Sequence, residues 1–289
     1  MRFDWSKLGG RTPPKSLVEA RHLAHHALQW VTKAARANLR ALPDDSHSSV
    51  AWDAGLAALV SLPFQTGAGE ARVGLRIASL ALIVLRGEAV LDAFQLDRKT
   101  DADAGTWIDS KLQALGLKPA SGVKLPYAMP DHPVAKGAPY DCSSAGRELG
   151  ELARWFTGSA ELLEEFRAKT KGFGPGPTPL RCWPHHFDIA TVVQLKESNH
   201  ESAKSVGVGV SPGDEFYAQP YVYVSPWPRF DGAELPALPS PGHWHTQGFF
   251  GAVVAGEEIL ALKNRGPGLL GFVVAAFEIS CERLEVPAR

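Results

Sequence analysis

The sequence predicts an α+β fold, mostly antiparallel β-sheet with several long packed helices. Three observations point there. Residues 16–42 and about 144–169 carry apolar side chains at three- and four-residue steps, the stripe of a helix. Residues 71–95 read as a strand hairpin. Residues 181–254 are β-rich runs punctuated by Gly/Pro turns.

Taken in order, the first element is "SLVEARHLAHHALQWVTKAARANLRAL". Leu17, Ala20, Ala24, Leu28, Val31, Ala35 and Leu39 form one stripe, between Pro13-Pro14 and Pro43. "SSVAWDAGLAALVSLPF" (48–64) reads as strand, although its alanines and leucines also suit a helix. "ARVGLRIASLALIVLRG" (71–87) reads as one strand that alternates and then turns continuously apolar. Gly87-Glu88 is a tight turn into "AVLDAFQL". A helix follows in "DADAGTWIDSKLQALGL", with aspartates in its first turn and Gly116 at its end. Five prolines between Pro119 and Pro139 make 118–142 a linker or a wrapping loop. The second long helix ends at "KGFGPGPTPL". The β-rich runs are "CWPHHFDIATVVQL", "SVGVGVSPGD", "FYAQPYVYVSPWP" and "HWHTQGFFGAVV", with "SNHESAK" as a hairpin-like connection. A last helix covers about 267–285. The composition shift near 175–180 places a division into 1–175 and 176–289, within what can also be one integrated domain.

The chain has 289 residues, enough for a sizeable core. Its 30 basic and 31 acidic residues leave no net field for a polyanion, which argues against nucleic acid as a partner. Three scattered cysteines, Cys142, Cys182 and Cys281, fit a reducing compartment better than a disulfide framework. The N-terminus shows no apolar leader. No apolar run reaches the roughly 18–20 residues that cross a bilayer. The expectation is a cytoplasmic protein without a membrane partner.

Candidate chemistry concentrates in two segments. On a strand, residues two apart share a face. His243 and His245 therefore point together, with Trp244 opposite. Two imidazoles so placed can serve one ion, whose nitrogens must lie about 2.0–2.1 Å from a zinc. In "PHHFD", the same parity puts His186 with Asp188, and His185 with Phe187 and Ile189. His186, Asp188, His243 and His245 together make a candidate three-histidine, one-carboxylate metal set, suited to zinc or iron. The competing reading makes His186 and Asp188 a hydrogen-bonded pair tying strand to loop, and HWH an ordinary pocket lining. "SPGDEFY" adds second-tier catalytic candidates Asp214, Glu215 and Tyr217; Asp214 also reads as a plain turn residue. Asp45, His47 and Asp53 lie in "PDDSHSSVAWD". His22, His25 and His26 have a chelating helical spacing, but near a helix N-terminus they read as solvated.

Aromatic residues bunch between Trp183 and Phe250. They are the core of a sheet, the wall of a small-molecule pocket, or both on opposite faces. There is no phosphate loop, no GxGxxG opening a helix, no GxSxG and no HExxH. Cys182, three residues before His185, is a weak nucleophile candidate. The HxH strand invites comparison with cupins, and fails it because Gln247 stands where that motif's carboxylate region begins.

The blocks "WPHHFDIAT", "GVGVSPGDEFYAQPYVYVSPWP" and "GHWHTQGFFGAVV", with "PDDSHSSVAWD" and "LPYAMPDHPV" before them, resemble a family of uncharacterised bacterial proteins. A more distant likeness is to a broader family of unknown function with an "HFFWGSFDLA"-like strand, here "RCWPHHFDIA". The resemblance spans nearly the whole chain and implies one integrated architecture. It implies no activity and no catalytic residues.

The expected function is a His/Asp- and aromatic-lined small-molecule pocket in the C-terminal sheet, as a metal-dependent enzyme of hydrolase or oxygenase type. The alternative is a non-catalytic protein that binds a ligand or a partner chain without metal. An exposed aromatic patch would allow homo-oligomers.

Overall fold

The computed structural model describes residues 3–196, 203–230 and 235–285. The chain forms two compact units that interleave in sequence. An N-terminal unit holds Ser16–Thr157 and Arg181–Phe187; a C-terminal unit holds Met1–Lys15, Gly158–Leu180 and Asp188–Arg289. The composition shift suggested a single cut between 1–175 and 176–289, whereas each compact unit draws on more than one stretch of chain.

The N-terminal unit begins with helix α1 (Val18–Asn38). Strands β1 (Val50–Asp53), β2 (Ala58–Ser61), β3 (Phe64–Thr66), β4 (Gly69–Arg76), β5 (Ala81–Arg86) and β6 (Ala89–Gln95) follow, then helix α2 (Asp101–Ala114). Helix α3 (Gly146–Lys169) divides between the units. After it come the short strands β7 (Gly176–Pro177) and β8 (Arg181–Trp183). Within the N-terminal unit the strands run in the order β8-β1-β2-β4-β5-β6, with β3 also on β4, and every ladder is antiparallel.

The stripe Leu17, Ala20, Ala24, Leu28, Val31 and Ala35 is fully buried, and α1 packs on β2 and β4. Each such leucine or valine contributes roughly 1.5–3 kcal/mol of burial. The opposite side of α1 is covered too. His25 and His26 are only 5% and 7% exposed, which corrects the solvated reading of this histidine group. The Pro-rich segment and the turn after β8 lie against them: His26 Nε2 is 3.0 Å from the Pro130 carbonyl and His25 Nε2 is 2.7 Å from that of Pro184. The proline-rich stretch is thus a wrapping loop. Its own backbone is mostly irregular apart from a single 3-10 turn, Pro133–Lys136.

Two strand expectations change in detail. Residues 48–64 are strands, split by a turn at which Ala57 has φ +48°. Residues 71–87 are not one strand but two, β4 and β5, joined at Ile77–Leu80. Leu80 takes φ +43° with its side chain fully buried. An apolar residue in that conformation gives no turn signal, since glycine, asparagine and aspartate are the usual occupants. The turn at Gly87 (φ +58°) and the helix α2 stand as expected. The side chain of Thr100 caps α2 at the N–H of Asp103, and the Asp103 carboxylate returns a bond to the Thr100 N–H.

The C-terminal unit contains β9 (Asp188–Lys196), β10 (Lys204–Ser211), β11 (Tyr221–Trp227), β12 (His243–His245) and β13 (Gly251–Ala255), then helices α4 (Gly256–Ala261) and α5 (Arg265–Arg283). The strand order is β12-β13-β11-β10-β9, with β7 on β9, again antiparallel throughout. The connection expected at "SNHESAK" falls mostly outside the described residues. The register decides which residues share a face. Tyr221, Tyr223, Ser225 and Trp227 lie opposite Ser211, Gly209, Gly207 and Ser205. Tyr223 also lies opposite Val253, which in turn is opposite His243, and His245 is opposite Gly251. Tyrosines, glycines and histidines therefore share one face. Val206, Val208, Val222, Val224 and Val254 are fully buried or nearly so on the other, where α5 packs against β10 and β11.

Candidate functional site

The histidines of β12 obey the strand parity. His243 and His245 point to the tyrosine face, and Trp244 points away to stack on Phe250 at 5.3 Å. The indole N–H of Trp244 donates to the Pro236 carbonyl at 2.8 Å. One strand thus anchors itself through its apolar face and presents its imidazoles on the polar one.

The segment that precedes β11 brings a third group to them. Asp214 follows Pro212-Gly213 and organises a turn: its Oδ1 accepts the N–H of Phe216 at 2.8 Å and of Tyr217 at 3.0 Å. Its own N–H donates to the Tyr217 carbonyl at 2.8 Å. Asp214 Oδ2 accepts the hydroxyl of Tyr221 at 2.5 Å. Held in this way, Tyr217 places its hydroxyl 3.0 Å from His243 Nε2 and 3.0 Å from His245 Nδ1. His245 Nε2 is bonded to the Gln247 carbonyl.

That last contact fixes the protons. A carbonyl only accepts, so His245 Nε2 carries hydrogen, and in neutral His245 the Nδ1 is a bare acceptor. Tyr217 then donates to His245 Nδ1, and His243 Nε2–H donates to Tyr217. The ring of His245 is stacked on Phe249 at 4.0 Å, with Phe216 edge-on at 5.2 Å. His243 and Phe216 are exposed, so the cluster lies open on its face. The Tyr217 hydroxyl is held above its ordinary pKa by burial first and then by the charges of Asp214 and Glu258. Tyr221 is raised further, by burial and its bond to Asp214. Both phenols are neutral donors at any ordinary pH.

The sequence-derived candidates fall as follows. His243, His245, Tyr217 and Asp214 are brought together. Glu215 is exposed beside them. Asp188 opens β9, and its Oδ2 accepts the hydroxyl of Tyr223. His186 does not lie on a strand: residues 184–187 form a turn in which Phe187 has φ +60° and a buried ring, and the turn belongs to the N-terminal unit. The parity linking His186 to Asp188 therefore does not hold. Pro184 is the signal that a strand stops there. Among the described residues, no group of three or more His, Cys, Asp or Glu side chains is placed to hold a metal ion.

Other candidates resolve as structural. His47 is buried, its Nδ1 accepting the Leu42 N–H at 3.2 Å. Asp45 pairs with Arg36 at 3.1 Å, and Asp53 caps the β1–β2 turn at the N–H of Leu56. Burial pushes the Cys142 and Cys281 thiols up to about 12, away from thiolate chemistry. A cavity of about 270 Å³ in the C-terminal unit, walled by Phe3, Trp5, Glu161 and Arg265, contains none of the expected site residues. Sequence reasoning missed the hydroxyl partners Tyr221 and Tyr223. Their alternation in "YVYV" was the available signal.

Comparison with protein-family models, with curated proteins and with solved structures gave no match. No helix among the described residues is long and apolar enough to cross a membrane.

Proposed function

We propose that the tyrosine–histidine face of the C-terminal unit binds a small molecule and performs general acid–base chemistry on it, with His243 as the group that meets the ligand. The observation that carries this reading is the Tyr217 hydroxyl set 3.0 Å from both His243 Nε2 and His245 Nδ1. In neutral His243 the Nε2–H points to Tyr217, which leaves Nδ1 with a lone pair. A proton taken up at His243 Nδ1 can release the one on Nε2 to Tyr217, which passes its own to His245 Nδ1. One N–H bond and one O–H bond break and two re-form, and the positive charge moves from His243 to His245. A general base whose charge can be handed on is suited to repeated proton transfer. No metal is needed for these steps.

The aromatic surround of Phe216, Tyr221 and Phe249 supports the binding half of the reading, because small-molecule sites combine apolar walls with a few convergent polar groups. The test is nitrogen NMR of the two imidazoles in the whole protein. His245 should be the Nε2–H tautomer, and Tyr217→Phe should separate the titration of His243 from that of His245. Turnover of a substrate found by screening should fall by about 10²-fold or more in His243→Ala, the typical scale of general-base loss. Binding without turnover would favour the non-catalytic alternative. Independent titration in the unaltered protein would end the relay.

A further inference from the structure

We infer that the ligand taken by this face is an organic cation, a protonated or quaternary amine, and not an anion; the inference rests on the reading of the face given above. The argument is one of charge and surface type. The fixed charges acting on Tyr217 are Asp214 and Glu258, and those acting on Tyr221 are Asp214 and Asp188. All are carboxylates. Asp214 receives three hydrogen bonds, from the Phe216 and Tyr217 N–H groups and the Tyr221 hydroxyl, which hold its carboxyl group against the phenols of this face. Glu258 Oε2 accepts the Ala255 N–H at 2.8 Å at the start of α4. Lys15 is paired with Glu257 at 2.7 Å.

The ring faces complete the case. Tyr217 lies with its centroid 4.7 Å from Tyr221 and 5.4 Å from His245, and Phe249 stacks on His245. Aromatic faces attract cations through their quadrupole, worth roughly 0.5–2 kcal/mol according to desolvation. Carboxylates behind them add to that attraction and oppose phosphate or carboxylate ligands.

The experiment uses the full chain and three probes of one size: benzylamine in its protonated form, benzyl alcohol and benzoate. Affinities are read from chemical-shift changes of Tyr217, His243 and His245. Benzylammonium should bind at least about tenfold more tightly than benzyl alcohol, a difference of ~1.4 kcal/mol, and benzoate should be weakest. The advantage of the cation should shrink on adding salt. Glu258→Gln keeps an acceptor for the Ala255 N–H and should reduce the preference about threefold, the order expected for removing one partly screened charge. Asp214→Asn would add to this but risks the turn. Equal or tighter binding of benzyl alcohol or benzoate overturns the cation assignment and leaves the binding face intact. No shift at these three residues with any probe overturns both.

Discussion

Tyr223 reaches across β10, over Gly209, to donate its hydroxyl hydrogen to Asp188 Oδ2 on β9. The phenol thus spans three strands of the C-terminal unit, and the glycine is what lets it pass. A Cβ on Gly209 would collide with the ring and hydroxyl of Tyr223. Two residues earlier on the same face, a Cβ on Gly207 would meet only the Ser225 carbonyl, at 3.7 Å.

The two glycines therefore respond in opposite ways. Gly209→Ala should destabilise the protein by about 1–3 kcal/mol, the usual cost of overpacking. Gly207→Ala should be neutral or stabilising by up to ~1 kcal/mol, because alanine narrows the unfolded ensemble. Urea unfolding of both variants decides it. Equal effects would mean that Tyr223 does not occupy the space above Gly209.

Asp101 offers a second test, in the N-terminal unit. Its Oδ1 accepts the Trp30 indole N–H at 2.7 Å and the Tyr140 hydroxyl at 3.0 Å, and Tyr140 is fully buried. Asp101→Ala leaves both donors without that acceptor, at about 1–3 kcal/mol each. Thr100→Ala removes only the helix cap and should cost about 1 kcal/mol. A denaturation midpoint for Asp101→Ala no lower than for Thr100→Ala would contradict the shared-acceptor arrangement.

Acid should loosen the same unit. Burial, outweighing the bond to Pro184, lowers the His25 pKa from an ordinary 6.5 to about 4, and His26, His22 and Arg21 push it the same way. Burial also lowers His22 and His26. A base depressed on folding leaves the unfolded chain holding more protons between the two values. Its contribution is whole above pH 6.5, falls as pH drops towards 4, and changes no further below that. For His25 alone the loss is about 3 kcal/mol. Urea midpoints measured from pH 7.5 to 4 should decline, and His25→Gln should flatten the decline. An unchanged slope in that variant would place the titration elsewhere.

Tyr217→Phe removes the one hydroxyl shared by His243 and His245. Because the group is partly exposed, stability should change by no more than about 0.5–1.5 kcal/mol. The imidazole titrations should change far more than the melting temperature. A large drop in stability with unaltered titration curves would make Tyr217 a structural residue only.

The sequence carried the local parts of this picture and not the long-range ones. Strand parity is a property of two residues, so the common face of His243 and His245 and the opposite position of Trp244 were legible. The turn at Gly87 and the aspartates in the first turn of α2 were legible because they too are local signals, whereas the cap at Thr100 came from the structure. Leu80 hid a turn because its left-handed backbone is imposed by burial and not by residue type. His25 and His26 looked solvated because the coverings of α1, Pro130 and Pro184, lie 104 and 159 residues away. Tyr217 could be placed near the site only through its nearness to Asp214. Its bonds to residues 26 and 28 positions distant needed the fold.

The two imidazoles ride on a strand of three residues that, among the described residues, stands last in its ladder and pairs with β13 alone. Short terminal strands fray at far smaller free energies than cores unfold. On gentle heating, the contact between the histidines and Tyr217 should accordingly come apart while α5 and the valine face beneath the sheet are still intact. Heat would silence this surface well before it melts the protein.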